Sequence, residues 1–125
     1  MLGRAQYVSF STYRKTGVPV DTPVWCAPLD DVLYVFSEAS AGKMKRLRNS
    51  SQARLATCNY SGKLAGEWVA AAAYIVTDPT EVEQAKKAFT QKYGLIMRLT
   101  DLMSKLSGRY NKRAYIRIVS ASSSE

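Results

Sequence analysis

Pro19, Pro23 and Pro28 fall within and just after a run, Val18 to Ala27, that otherwise reads as a β-strand. Each proline lacks a backbone N–H and so removes one ladder donor, which means the run cannot be a regular central strand throughout. Two readings follow. The run is an edge strand guarded against aggregation, or a kinked strand whose unpaired backbone near Val24 and Trp25 is free to meet a planar ligand.

The surrounding pattern is that of a small antiparallel sheet. Tyr7 to Tyr13 alternates, with Val8, Phe10 and Thr12 on one face and Ser9 and Ser11 on the other. Lys15-Thr16-Gly17 supplies the hairpin turn into the proline-bearing run, and Leu29-Asp30-Asp31 turns the chain into a third strand, Val32 to Ser37. Ala53 to Tyr60 and Glu67 to Thr77 read as a fourth and a fifth. The fifth contains Ala70-Ala71-Ala72-Ala73, helical by propensity, but the flanking Trp68, Val69, Tyr74, Ile75 and Val76 favour a strand.

Asp78-Pro79-Thr80-Glu81 then offers an N-cap, a proline at the first helical position and an early acid. The stripe Val82, Ala85, Phe89, Tyr93 runs from it to Gly94. A second stripe, Leu95, Leu99, Leu102, Met103 and Leu106, stops at Gly108, and both stripes are expected to be core or dimer contact. Arg113 to Val119 alternates as a last strand. The sum is a mainly β, α+β domain: an antiparallel barrel of about six strands with helices packed outside, in one unit spanning residues 1–125. Residues 119–125, rich in serine, read as a frayed tail.

Chemistry concentrates after the third strand. Leu33-Tyr34-Val35-Phe36 ends in small hydroxylated residues, and Gly42 opens a short basic helix. Between Ala39 and Gly66 lie Lys43, Lys45, Arg46, Arg48, Arg54 and Lys63, with no acidic residue. Short basic helices are commonly solvated faces. Here the spacing of Met44 and Leu47 lets both point inward, Ser40 is the expected N-cap, and Lys43 falls in the first turn, where the helix dipole disfavours a cation. A lysine placed against the dipole suggests an anionic ligand, and serine hydroxyls with free backbone N–H groups suit phosphate.

Other residue counts mainly exclude. The 125 residues contain no His, so a His-based triad, general base or metal site is ruled out within the chain. The two cysteines, Cys26 and Cys58, lie in apolar runs without metal-type spacing and read as core. Reactive chemistry, if present, therefore belongs to a cofactor. The net charge of +8 attracts polyanions in general. The longest apolar run, Trp68 to Val76, falls far short of the roughly 20 residues that span a bilayer, and no secretory signal precedes Tyr7, so a cytoplasmic protein is expected.

With these elements in order, the chain resembles the pyridoxamine 5'-phosphate oxidase-like split barrels, especially their small coenzyme F-420-dependent members. The resemblance rests on Asp21-Thr22-Pro23-Val24-Trp25, on Ser40-Ala41-Gly42-Lys43-Met44-Lys45-Arg46-Leu47-Arg48, on Arg54-Leu55-Ala56-Thr57-Cys58 and on Tyr93-Gly94-Leu95. It implies a split barrel that forms a homodimer with cofactor at the subunit interface. It further implies phosphate held at Ser37, Ser40, Gly42, Lys43 and Lys45, with Arg46 nearby for an acidic tail. The ring would lie on Thr22, Pro23, Val24 and Trp25, with Trp68 near the closing surface. The implied activity is hydride transfer between coenzyme F-420, or FMN, and a small unsaturated or quinone-like substrate. The chain has Asn49-Ser50-Ser51-Gln52 where many relatives have Asn-Pro-Arg. It also lacks the His with which vitamin B6 phosphate oxidases contact substrate.

A nucleic-acid-binding small barrel is the rival reading, from basic charge and many tyrosines. Against it, the cations gather at one helix without interleaved aromatic residues. A cofactor carrier without turnover is a third reading.

Overall fold

The computed structural model describes residues 7–38, 41–94, 99, 102, 103, 106 and 113–120. Its elements are β1 (Tyr7–Tyr13), β2 (Pro19–Leu29), β3 (Val32–Glu38), α1 (Gly42–Asn49), β4 (Gln52–Cys58), β5 (Val69–Ile75), α2 (Pro79–Tyr93) and β6 (Arg113–Ser120). The six strands close into an antiparallel barrel in the order β1-β2-β3-β6-β5-β4.

The prolines of β2 are explained by a change of partner partway along the strand. From Pro19 to Trp25 it pairs with β1, ending at Tyr7↔Trp25, and from Cys26 to Leu29 it pairs with β3, starting at Cys26↔Val35. Pro28, opposite Leu33, has no N–H, so that pair is of the non-hydrogen-bonded kind. Alternation along the strand then turns the backbone groups of Cys26, Val24 and Thr22 toward β1, and those of Pro19, Pro23 and Trp25 toward the β3 side. Pro19 and Pro23 thus face the stretch where β3 has parted from β2. Pro28 faces the side beyond Trp25, the last residue of β2 with a described partner in β1. No proline removes a bond from a ladder. The edge-strand reading is therefore corrected: β2 has neighbours on both sides, each along only part of its length.

Alternation also sorts the core. Val8, Phe10, Val24, Cys26, Leu33, Val35, Leu55, Ile116 and Ile118 point into the barrel, where Met44 and Leu47 of α1 join them. Their neighbours in sequence, Ala27, Tyr34 and Tyr115, point outward onto Ala85, Ala88 and Phe89 of α2. The Ala71–Ala73 run is strand and buried, its propensity overridden by position between β4 and β6. Asp78 caps α2 by accepting from the Thr80 N–H, and Gly94 ends it at φ 56, which a residue with a Cβ adopts poorly.

The expected Ser40 cap lies outside the described residues. Ala41 occupies the N-cap position of α1, with no side-chain cap bond. Leu99, Leu102, Met103 and Leu106 are helical and 54–77% exposed, so within one chain they are not core; Leu95 and Gly108 of that stripe lie outside the described residues. No helix among the described residues is long and apolar enough to cross a membrane.

α2 is also fastened to the barrel by a polar cluster absent from the expectations. Tyr34 donates its hydroxyl to Glu81 Oε2 at 2.9 Å, and Arg117 Nη1 donates to both Glu81 oxygens at 2.8 and 3.0 Å. Burial and the neighbouring carboxylate push the Tyr34 hydroxyl up to about 12. Glu81→Ala should strand both donors and cost about 2 kcal/mol in urea unfolding. A change below about 0.5 kcal/mol, the scale of an exposed pair, would show the cluster to be incidental.

Candidate functional site

Where β2 and β3 part, β3 continues alongside β6, through Phe36↔Tyr115, Ser37↔Ala114 and Glu38↔Arg113. β2 stays with β1, so a gap opens between the β2 backbone at Pro23–Trp25 and the end of β3. It holds a cleft of about 370 Å³ lined by Tyr7, Pro23, Val24, Trp25, Phe36 and Lys43.

Lys43 supplies the charge of this cleft. It sits in the first turn of α1, which holds no acidic residue, and its Nζ lies 3.5 Å from Ser37 Oγ. Burial, assisted by the Arg46 charge, holds its pKa below the usual lysine range. Among the described residues Lys43 makes no ion pair. A partly desolvated ammonium facing a cleft whose described lining holds no carboxylate fits an anionic group, and phosphate matches the donors present.

The apolar wall is supported from behind. The Trp25 ring stacks on Tyr93 at 4.7 Å and 13°, Tyr93 lies along Phe89, and Tyr7 meets Trp25 edge-on at 6.4 Å. The Tyr93 hydroxyl donates to the Cys26 carbonyl at 2.9 Å and accepts from the Cys26 N–H at 3.2 Å; Lys92 Nζ also donates to that carbonyl at 2.6 Å. The end of α2 thus grips β2 one residue from the cleft. Phe36 stands edge-on to Phe89, with the Arg113 guanidinium 4.3 Å from its ring centre.

Of the residues singled out from the sequence, the fold brings together Pro23, Val24, Trp25 and Lys43, with Ser37 bonded to the last. The other described ones do not line the cleft, and Ser40 lies outside the described residues. Thr22 bonds the Phe10 carbonyl through its side chain. Gly42 begins α1, and the Arg46 guanidinium lies so close that a Cβ at Gly42 would come within 2.9 Å of Nη1. Arg46 itself turns to Thr12, donating from Nε to Oγ1 at 2.6 Å, and Lys45 is exposed. Trp68 lies under the Arg54 guanidinium at 3.8 Å, beside a cluster in which Arg54 bonds Ser11 and Asp21 and Ser11 bonds Asp21. Within one chain Trp68 is therefore not at the cleft.

Sequence reasoning missed Tyr7 and Phe36. The Tyr7↔Trp25 register would have found the first, and the position of Phe36 just past the last β2–β3 pair would have found the second. Cys26 is buried and Cys58 half-buried, and burial pushes both thiols up, as expected of packing residues rather than nucleophiles. Among the described residues no cluster of His, Cys, Asp or Glu could hold a metal ion.

No model of a known protein family matches the sequence, and no curated protein matches it. Solved structures do match. A Listeria innocua protein assigned as a pyridoxamine 5'-phosphate oxidase aligns with 96% of this chain and 87% of its own, at 15% identity and a TM-score of 0.64. An FAD-binding protein of Mesorhizobium loti aligns over 96% and 82%, at 16% identity and 0.66. The haem storage protein HutZ of Vibrio cholerae aligns over 92% and 81%, at 15% identity and 0.68. Proteins with different ligands thus share this architecture, and the likeness is one of fold. The closed six-stranded antiparallel barrel, split between β2 and β3, is a split-barrel fold that these solved structures share.

Proposed function

We propose that this protein is a deazaflavin-dependent oxidoreductase that binds coenzyme F-420 in the cleft between β2 and β3. The observation that carries the reading is the pairing, in one cleft, of an apolar strand edge at Pro23–Trp25 with the half-buried Lys43 ammonium. A planar ring fits the first and a phosphate the second. The cofactor supplies hydride chemistry; the chain supplies position and field. Trp25, fixed by Tyr93, gives the ring a rigid wall, and Lys43 with Ser37 holds phosphate at the start of α1. Arg48 and Lys63, with a net charge of +8, favour a cofactor with an acidic tail, which is why F-420 is placed before FMN. The substrate class is a small unsaturated or quinone-like acceptor.

A homodimer is part of the reading. The cleft is open on one side, and Leu99, Leu102, Met103 and Leu106 expose apolar side chains at the spacing of one helix face, which supports a partner subunit. Light scattering at micromolar concentration should return the mass of a dimer, and a clean monomer would remove the shared-site geometry.

Titration with F-420 and with FMN, followed by ring fluorescence, tests the assignment. Tight F-420 binding supports it, FMN binding alone moves it to a flavin oxidoreductase on the same cleft, and binding of neither overturns it. Affinity should also depend on pH in a stated direction. Only protonated Lys43 attracts phosphate, and its pKa is lowered, so affinity should decline as pH rises, beginning below the ~10.5 of a free lysine. A flat profile up to that pH would remove Lys43 from the phosphate site.

A further inference from the structure

α1 closes the barrel at the end where β3 finishes and β4 begins. At the opposite end, where the β2–β3 turn, the start of β5 and the end of β6 meet, a second cavity of about 400 Å³ opens. It reaches the barrel interior, since Leu33, Leu55, Ala71 and Ile118 line it and are each at most 9% exposed. The volume lies within the range of small-molecule sites. No lining residue is shared with the Lys43 cleft.

The charge of the described lining is opposite to that of the chain. Among the described residues, Asp30 and Asp31 are the only ionisable ones in the lining, in a protein of net charge +8. Among the described residues neither makes an ion pair, although cations are abundant elsewhere. An apolar cavity with two uncompensated carboxylates complements a ligand with one positive end and an apolar body. A neutral apolar ligand would leave the carboxylates unused, and an anionic one would meet repulsion.

We propose that the open end of the barrel is a second binding site, for a small amphiphilic ammonium compound, with Asp30 and Asp31 holding the cation and the barrel interior taking the apolar body. Calorimetric titration of the full chain with octylammonium, octanol and octanoate tests it. Octylammonium should bind best, and Asp30→Asn with Asp31→Asn should weaken it about tenfold or more while leaving octanol unchanged. Both residues lie in an exposed turn, so the variant should fold, and an unaltered Tm verifies this. Equal binding of all three probes, a preference for octanoate, or undiminished octylammonium binding in the double variant would each overturn the proposal. So would the absence of any binding.

Discussion

Lys43→Ala is expected to weaken cofactor binding by about 2 kcal/mol, some 30-fold in Kd, because a charge-assisted bond to phosphate contributes roughly 1.5–3 kcal/mol. The half-buried setting of the ammonium keeps the effect within that range, since water screens it less than it screens an exposed lysine. Removing a cation from the first turn of α1 also relieves an unfavourable dipole interaction, so the variant should lose affinity without losing stability. Lys45→Ala provides the contrast. Lys45 is exposed and outside the cleft lining, and its loss should change Kd by no more than about twofold at moderate salt. Equal effects of the two substitutions would mean that a diffuse field, not a built phosphate site, draws the cofactor. No effect of either would detach the cofactor from α1.

That contrast marks where the sequence could and could not be read. The barrel was legible because its signals are local. Period-two alternation in Tyr7–Tyr13 and Arg113–Ser120, a proline at the first turn of α2 and Gly94 at its end are each written within a few residues. The prolines of β2 were legible as a disturbance but not as a solution. Their meaning depends on where β3 leaves β2, and beyond that point β3 is paired only with β6, some 80 residues away. The site shows the same division. Pro23, Val24, Trp25 and Lys43 could be named from composition and placement. Arg46 could not be told from Lys43, since both are cations on one short helix and only the rotation of α1 decides which meets Thr12 and which the cleft. The grip of Tyr93 on Cys26 spans 67 residues and left no local trace beyond a stripe of apolar residues on α2.

Phe89→Ala should have the largest effect on the folded state. Phe89 is 1% exposed and meets Phe36, Tyr93 and Tyr115, so its removal leaves a cavity that these rings cannot readily refill. Truncation of a buried phenylalanine costs about 3–5 kcal/mol, which for a domain of this size lowers Tm by roughly 10–20 °C. The damage should not stay in the core. Phe89 lies behind both Phe36, which lines the cleft, and Tyr93, which carries the Trp25 ring, so α2 is the mould against which the apolar wall is set. Below its lowered Tm the variant should therefore still bind cofactor, but several-fold more weakly, with the Lys43 contribution intact. Tyr93→Phe separates the two roles, because it keeps the stacked ring while losing the bonds to the Cys26 backbone. Its Tm should fall by only a few degrees. The Cys26 amide should exchange with solvent measurably faster than in the parent. If Phe89→Ala lost stability yet bound cofactor with unchanged affinity, α2 would be a scaffold for the barrel alone, and the cleft would owe its shape to β1, β2 and β3.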